Sequence, residues 1–398
     1  MKLRARLRGK IEAVTGAHNS LSFRTICFGK TLLAAACLAL LVFAAFAQTS
    51  DPRQLFNQAL GAQRQGNHEL AIQQYRNLVK LKPSLLPAWI NFGVELVQVG
   101  QFPEAIDCYR SALALDPQNR KTQFYLALAY FKEGDPKNAA LQFEELLRAD
   151  PQDLRAATLL GASYLQSGDN ARALAVLSPL TQLAGDDPDF LYSLGSALIA
   201  NGRLREGVSA VERAAKQSNA AAAWMLAGQN LLRLNEFARA SEDLETAARL
   251  DPNLPGVQIA LGRSREKNAD YTGAIQALNK AVEQNPKDLD AWLVLGGDQY
   301  FERDLNRART SLKQALTLDP HSAPALYALA LVDKAQTQPG TAAAELEEAV
   351  KIRPDWLEAH IQLAALYFQL HRTAEGARER EIVDRLSEEE RRAGPGKF

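Results

Sequence analysis

Apolar residues recur through most of the chain with a period of 34 residues. Each period holds two segments in which the apolar residues follow helical spacing, and turn-forming residues such as "VGQF" at 99–102 and "SGDN" at 167–170 separate the two. The closing prolines are Pro117, Pro151, Pro252, Pro286, Pro320 and Pro354. Because a proline cannot continue a helix and restricts the residue before it, each period is predicted to be a pair of amphipathic helices.

Two positions of the period hold only alanine or glycine when the closing proline is numbered 32. Position 8 is Ala59, Gly93, Ala127, Gly161, Gly195, Gly228, Gly262, Gly296, Ala330 and Ala364. Position 20 is Ala71, Ala105, Ala139, Ala173, Gly207, Ala240, Ala274, Ala308, Ala342 and Gly376. Glycine costs a helix interior about 1 kcal/mol relative to alanine, so its recurrence requires a packing reason. We predict that the two helices of each pair cross closely at positions 8 and 20.

The second period shows the pattern most fully, with Trp89, Gly93, Ala105, Tyr109 and Pro117 at positions 4, 8, 20, 24 and 32. This arrangement resembles the tetratricopeptide repeat (TPR) family, whose signature carries Trp, Leu-Gly, Tyr, Ala, Phe and Pro. The resemblance covers residues 52–386 in ten periods. It implies an all-α fold, a right-handed superhelical solenoid of about ten stacked helix-turn-helix pairs with the first helix of each pair lining the concave face.

Two parts of the body depart from this regularity. Gly195 and Gly228 are only 33 residues apart, and the fourth and fifth periods lack the closing proline. Residues 184–222 are therefore expected to form an irregular joint within one array, and not a domain boundary. The last residues, 387–398, are charged and then rich in glycine and proline, which predicts a flexible tail.

The N-terminal residues 1–47 form a separate segment. A basic start is followed by an uncharged apolar run over 31–47 that ends in Ala45-Phe46-Ala47, the small-residue pattern of an export-signal cleavage site before Gln48. An uncleaved membrane anchor with its basic end in the cytoplasm is the alternative. Both interpretations place the array outside the cytoplasm, as a periplasmic or secreted protein in the first case and a membrane-anchored one in the second.

The overall charge balance conceals this basic leader. The chain has 46 basic and 46 acidic residues, of which residues 1–47 hold seven and one, so the remainder carries 39 and 45. A mildly acidic body lacks the basic surface that nucleic-acid binding requires. Cys108 is the only cysteine of the body, so an internal disulfide is excluded there.

Catalytic and metal-binding patterns are absent from the sequence of the body. Its histidines, His68, His321, His360 and His371, have no ligand spacing. Neither a phosphate-binding glycine loop nor a serine nucleophile motif occurs. Acidic pairs such as Glu144-Glu145 are typical of solvated helix faces. We predict no enzymatic activity, no catalytic residue, no metal and no cofactor.

The resemblance implies that the concave face is built from positions 2, 5, 9, 12 and 13. Position 9, often polar in the family, is apolar in the first three periods, and together with positions 5 and 12 it forms a continuous apolar strip. The predicted partner-binding groove is Phe56, Leu60, Ile90, Val94, Val97, Phe124, Leu128, Phe131 and Tyr192. Polar residues face the same groove later in the chain: Arg263, Glu266, Lys267 and Lys334. The alternative is that these side chains serve only packing between repeats.

The predicted function is a non-enzymatic scaffold that binds a protein or peptide segment in its groove outside the cytoplasm, with envelope, pilus or polymer-export assembly as candidate settings. The alternative is a structural subunit of a larger membrane complex, tethered by an uncleaved N-terminal helix. Neither interpretation involves nucleic acid, and membrane contact is expected only through residues 31–47 if they are retained.

Overall fold

The computed structural model describes residues 51–393 and divides the chain into two compact units, an N-terminal unit up to Glu133 and a C-terminal unit from Gly134. Over residues 51–393 the secondary structure is helical, without a strand. The predicted all-α fold of successive helix pairs is confirmed. The signal peptide or membrane anchor predicted for residues 1–47 lies outside the described residues. Between residues 51 and 393, every helix is too short or too polar to span a bilayer.

The described part of the N-terminal unit consists of five helices. They are α1 (Pro52–Arg64), α2 (His68–Leu81), α3 (Leu86–Gln98), α4 (Phe102–Leu115) and α5 (Arg120–Glu133). Each helix packs against the next along the chain. The helices α1, α3 and α5 are the first helices of repeats one to three, and they carry the predicted groove residues of this unit.

The C-terminal unit continues the same pattern to residue 393. Its helices are α6 (Pro136–Ala149), α7 (Leu154–Gln166), α8 (Asn170–Leu177), α9 (Thr181–Ala184), α10 (Pro188–Ala200), α11 (Leu204–Ser218), α12 (Ala221–Arg233), α13 (Phe237–Leu250), α14 (Val257–Lys267), α15 (Tyr271–Gln284), α16 (Leu289–Phe301), α17 (Leu305–Leu318), α18 (Ala323–Ala335), α19 (Pro339–Ile352), α20 (Leu357–Gln369) and α21 (Thr373–Ala393). From α10 onward, consecutive helices pack against each other.

The predicted meeting of positions 8 and 20 occurs in the fifth repeat, where a Cβ atom added to Gly195 would lie 2.8 Å from the carbonyl oxygen of Gly207. A third position also takes part in the crossing. A Cβ atom added to Gly93 would lie 2.6 Å from Tyr109 Cε1, and one added to Gly161 would lie 2.6 Å from Leu177 Cδ1. Both partners occupy position 24. The glycine at position 8 therefore makes room for a large side chain of the second helix, and position 20 provides the backbone beneath that side chain.

The turn between the two helices of a pair has a left-handed residue at position 15. In the first five repeats it is glycine, with φ between 70° and 86°: Gly66, Gly100, Gly134, Gly168 and Gly202. In the last five it is a residue with a side chain, with φ between 58° and 64°: Asn235, Ala269, Arg303, Thr337 and His371. Since a side chain in this conformation costs roughly 1–2 kcal/mol, the packed helix pairs impose the turn on these later sequences.

The most irregular helix of the C-terminal unit lies at residues 170–184, directly before the joint predicted over 184–222. The second helix of repeat four is broken by a 3₁₀ turn at Ser178–Leu180, and Gly185 follows with a positive φ of 58°. Helix α11 ends at Asn219 in a left-handed conformation in place of the usual proline. The boundary between the two compact units lies elsewhere, after Glu133.

The C-terminal end departs from the tail predicted over 387–398. Helix α21 continues to Ala393, so residues 387–393 are helical. The pairs Arg385–Glu389, at 3.1 Å, and Arg392–Glu388, at 3.2 Å, are spaced four residues apart along this helix. Such spacing stabilises a solvated helix, which explains why a charged sequence extends the helix here.

Candidate functional site

The groove residues predicted in the N-terminal unit share one environment. We define the apolar strip as Phe56, Leu60, Ile90, Val94, Val97, Phe124, Leu128 and Phe131. Every one of these eight side chains is partly exposed, whereas Phe92 and Leu96, which point to the opposite side of α3, are buried. The helical period explains the difference, because positions 5, 9 and 12 lie on the face opposite positions 7 and 11.

Part of the apolar strip also contributes to packing. The ring of Phe56 meets the ring of Tyr75 edge to face, with centroids 6.2 Å apart. Tyr75 is buried and its hydroxyl donates a hydrogen bond to Gln63 Oε1 at 3.1 Å. The strip therefore rests on the second helices while it keeps an outer surface exposed, so packing does not account for all of its apolar area.

A buried glutamate in the N-terminal unit contacts a partly exposed histidine. Glu95 in α3 is only 1% exposed, and its Oε2 atom lies 2.8 Å from Nδ1 of His68 at the start of α2. This contact joins the first and second repeats across 27 residues of sequence. A buried carboxylate requires such a partner, so the contact with Glu95 gives His68 a structural role.

Sequence reasoning missed the position that supplies this carboxylate. Position 10 carries a buried polar residue in five repeats: Glu95, Ser163, Asn230, Ser264 and Asp298. A polar residue that recurs within an otherwise apolar helix face was the available signal. The hydroxyl of Ser241 donates to the hydroxyl of Ser264 at 3.1 Å, so this position also links neighbouring repeats in the C-terminal unit.

Tyr192, the last residue of the predicted groove, belongs to the C-terminal unit. It occupies position 5 of α10 and is 39% exposed. It is thus an exposed aromatic side chain on the first helix of repeat five.

Three of the polar groove residues of the C-terminal unit contact a charged or polar side chain. Arg263 donates to Asp290 at 2.5 Å, and Lys267 lies 3.2 Å from Glu266 Oε1. Lys334 donates to Gln362 Oε1 at 2.8 Å. A cavity of about 460 Å³ opens here. Its lining residues include Leu232, Phe237, Arg263, Glu266, Lys267 and Val294.

A buried carboxyl lies close to this cavity. Asp298 in α16 is 2% exposed, and its Oδ2 atom has no hydrogen-bond partner within residues 51–393. The pKa of Asp298 is raised from 3.8 to about 7. Burial is the largest cause, the charge of Glu266 adds to the increase, and Lys267 opposes it. The neutral form is therefore favoured in the folded state below about pH 7.

The C-terminal unit is expected to lose stability as the pH rises from about 4 to about 7. An unfolded aspartate ionises near pH 4, but the folded Asp298 must be held neutral up to about pH 7, so ionisation costs folding free energy across this window and no further above it. Asp298→Asn should raise the free energy of unfolding at pH 8 by on the order of 2 kcal/mol and should flatten the pH dependence. Urea titrations at pH 5 and pH 8 measure both. An equal loss of stability with pH in the variant would contradict the assignment.

Among residues 51–393, no group of histidine, cysteine, aspartate or glutamate side chains is arranged to hold a metal ion. Burial raises the pKa of the Cys108 thiol to about 12, assisted by the charges of Glu104 and Asp107. A thiol with such a pKa is a poor nucleophile at neutral pH. Cys108 is thus a small apolar core residue of α4.

Helix pairs that repeat every 34 residues, with small residues at each crossing, define a helical-repeat protein. One family model described as tetratricopeptide repeat matches residues 90–153 and 192–255. A second model of the same description matches residues 255–297. A model described as anaphase-promoting complex, cyclosome, subunit 3 matches residues 135–214. The chain contains tetratricopeptide repeats, as the sequence pattern predicted.

One similar curated protein is the cell division cycle protein 27 homolog of Caenorhabditis elegans. It is 29% identical over 100 residues, which is 25% of this chain and 13% of that protein. The chain therefore spans only a small part of the length of this relative.

Solved structures with detectable similarity include three repeat proteins. MamA from Desulfovibrio magneticus RS-1 has a TM-score of 0.41 and 20% identity, covering 43% of this chain and 96% of MamA. YrrB, described as a TPR protein with an unusual peptide-binding site, has a TM-score of 0.42 and 22% identity, covering 46% and 95%. A tetratricopeptide repeat protein from Parabacteroides merdae has a TM-score of 0.43 and 13% identity, covering 63% and 99%. Each comparison spans nearly all of the other protein and only part of this chain.

Proposed function

We propose that this chain is a non-enzymatic scaffold that binds an apolar segment of a partner protein on the apolar strip of α1, α3 and α5. The observation that carries the proposal is that all eight side chains of the strip are partly exposed. Scattered exposed apolar residues are normal on a protein surface, but a contiguous set on neighbouring helices is typical of an interaction site. Proteins built of tetratricopeptide repeats are generally scaffolds of this kind, which supports the proposal.

The dimensions of the strip limit the segment that it accommodates. Packed helices lie about 8–10 Å apart, so three successive first helices span roughly 20 Å. That distance matches about six extended residues or about 13 residues of helix. The apolar strip therefore suits a short segment whose apolar side chains recur on one face.

Aromatic residues at the third repeat are the expected anchors. Replacing Phe124 and Phe131 together by alanine should reduce recovery of the partner by roughly tenfold or more, because truncating a central aromatic anchor commonly costs 2 kcal/mol or more of binding energy. Both side chains are only partly exposed, so the melting temperature of the variant is measured as well, to separate loss of binding from loss of stability. The measurement is cross-linking and pull-down from the native cell with the full chain, quantified against the unsubstituted protein.

A matched control removes apolar side chains elsewhere. Leu81 and Leu115 are exposed at the ends of the second helices α2 and α4, outside the apolar strip. Leu81→Ala with Leu115→Ala should leave partner recovery unchanged. Undiminished recovery with the Phe124 and Phe131 variant, in a chain that melts normally, would assign the strip to packing alone.

The same proposal places the repeats outside the cytoplasm. Its support is the sequence of residues 1–47, with a basic start, an apolar run and a small-residue cleavage pattern before Gln48. Sequencing the N-terminus of the protein from its native cell tests it. A mature chain that begins at Gln48 supports export, whereas an intact leader supports the tethered subunit of a membrane complex.

A further inference from the structure

Four cations lie at the two ends of the apolar strip. They occupy positions 2 and 13 of the first and third repeats: Arg53, Arg64, Lys121 and Lys132. At 100° per residue, positions 2, 5, 9, 12 and 13 fall within one arc of the helix surface. The cations therefore share the face of the strip, at the beginning and the end of α1 and of α5, and all four are exposed.

These cations have no acidic partner among the residues that the structure describes. Within residues 51–393, no carboxylate lies within ion-pair distance of Arg53, Arg64, Lys121 or Lys132, although Lys121 approaches the ring of Tyr125 at 5.7 Å. Two groove cations of the C-terminal unit differ: Arg263 pairs with Asp290 at 2.5 Å and Lys267 with Glu266 at 3.2 Å. A third, Lys334, donates to the neutral Gln362 at 2.8 Å. The N-terminal repeats are thus distinguished by having four exposed cations, none of them paired with a carboxylate of residues 51–393.

Helix stability does not explain the charges at the start of these helices. The N-terminus of a helix favours acidic residues and disfavours cations. The first turns of α1, α3 and α5 hold no acidic residue, while α5 begins with Arg120 and Lys121. The first turns of α10, α16 and α20 hold Asp189, Asp290 and Glu358, as the helix dipole favours. Cations in an unfavourable place require a reason outside the helix itself.

The net charge of residues 51–398 also differs between the N-terminal and the C-terminal unit. Residues 51–133 contain nine lysines and arginines against seven aspartates and glutamates, a net charge of +2, whereas residues 134–398 contain 30 against 38, a net charge of −8. Glu95, one of the seven acids, is already paired with His68. An incoming negative charge is therefore attracted to the N-terminal repeats and repelled by residues 134–398.

We infer that the partner segment is acidic, with apolar anchors on the apolar strip and aspartate or glutamate residues at both ends, which pair with Arg53 and Arg64 of α1 at one end and with Lys121 and Lys132 of α5 at the other. This inference rests on the proposed function and specifies its ligand. The apolar anchors supply most of the affinity, and the flanking ion pairs select an acidic segment and set its position along the groove.

The test uses three fluorescent peptides of about 14 residues, roughly 21 Å long as helices. All share one amphipathic apolar core, and their ends carry glutamate, serine or lysine. Fluorescence anisotropy with the full chain should rank the affinities in the order glutamate, serine, lysine. High salt should weaken the binding of the glutamate peptide and reduce the differences, because exposed charges are screened.

Variants of the chain assign the effect to the four cations. Arg53→Gln with Lys121→Gln should weaken binding of the glutamate peptide roughly fivefold and leave the serine peptide unchanged. The matched control is Lys80→Gln with Lys82→Gln, which removes the same charge from the exposed end of α2. The control should bind all three peptides as the unsubstituted chain does.

The possible failures are distinct. Equal binding of the three peptides that is lost in the Phe124→Ala and Phe131→Ala variant would overturn the acidic partner and leave the proposed groove standing. Binding of none of them would overturn both. An equal loss in the Lys80 and Lys82 control, or glutamate-peptide binding that survives loss of the two phenylalanines, would reduce the effect to general charge attraction. Recruitment to phosphatidylglycerol vesicles through Arg53 and Lys121, without peptide preference, would assign the cations to a lipid surface.

Discussion

Replacing Arg309 by methionine is expected to lower the free energy of unfolding by about 3–5 kcal/mol, the usual cost of removing one partner from a buried charge pair. Arg309 in α17 donates to the carboxylate of Asp333 in α18, which is 4% exposed, and to Gln338 Oε1 at 3.0 Å. Glu345 in α19 belongs to the same cluster. The pKa of Glu345 is raised to about 7. Burial is the largest cause, the charge of Asp333 adds to the increase, and Arg309 opposes it. Without the guanidinium, the two carboxyl groups lose their main cation, and only Lys313 still lowers the pKa of Glu345.

The pH should modulate this loss. Glu345 can hold a proton below about pH 7, so the variant has one charge fewer to bury at pH 5 than at pH 8, and the destabilisation should be smaller at pH 5. Urea unfolding followed by circular dichroism at the two pH values measures it. Adding Asp333→Leu to the Arg309→Met variant should restore much of the stability, because an apolar pair can replace a buried ion pair.

The control for Arg309 lies two residues earlier. Arg307 pairs with Asp304 three residues before it, at 3.5 Å, and its side chain is 76% exposed. An exposed pair of this kind contributes about 0–1 kcal/mol, so Arg307→Met should leave the unfolding curve nearly unchanged. Similar curves for the two arginine variants would show that Arg309 is also a surface charge of little consequence.

Replacing Gly195 by alanine is expected to lower the free energy of unfolding by about 3 kcal/mol, the upper part of the range for overpacked contacts. A Cβ atom on Gly195 would lie 2.5 Å from Val211 Cγ2, 2.8 Å from the carbonyl oxygen of Gly207 and 3.0 Å from the backbone nitrogen of Val211. A side chain can rotate away from a new methyl group, but the backbone of α11 cannot move without displacing the whole helix. The strain therefore exceeds the gain of about 1 kcal/mol from replacing a helical glycine by alanine.

Two other glycines calibrate this result. Gly297 in α16 has no atom within 4 Å of an added Cβ, so Gly297→Ala should raise the unfolding midpoint through helix propensity alone. At Gly161 the nearest atoms belong to the side chain of Leu177, which can shift, so Gly161→Ala should fall between the two. A midpoint for Gly195→Ala that equals or exceeds that of Gly297→Ala would mean that α10 and α11 are not in close backbone contact.

Much of the fold was predictable because the repeat makes local and tertiary patterns coincide. Each repeat packs against the adjacent repeats, so the same positions face the core in every period, and Ala88, Phe92 and Leu96 are buried where the spacing predicts. Exposure of the apolar strip follows from the same period, since a helix that packs on one face leaves the other toward solvent. We propose partner binding for that face because its side chains are apolar.

Other features depend on contacts that the spacing does not encode. The turn residues Asn235, Ala269 and Thr337 adopt a left-handed backbone without glycine to indicate it, because the packed helices on either side dictate the path of the chain. The role of glycine at position 8 was only half predictable. Its recurrence indicated a close contact, but the side chain that fills the space comes from position 24 of the other helix.

The sequence by itself determined the period, the helix pairs, the crossing residues and the apolar face, because all of these follow from which residues recur at a fixed interval along one helix. Only the tertiary structure decided which charges meet. Arg309 reaches Asp333 across 24 residues and His68 reaches Glu95 across 27, while Arg53 and Lys121 reach no carboxylate between residues 51 and 393. Pairing depends on where two helices place their side chains in space, and an ion pair is favourable only at short distance. No repeat interval specifies that distance.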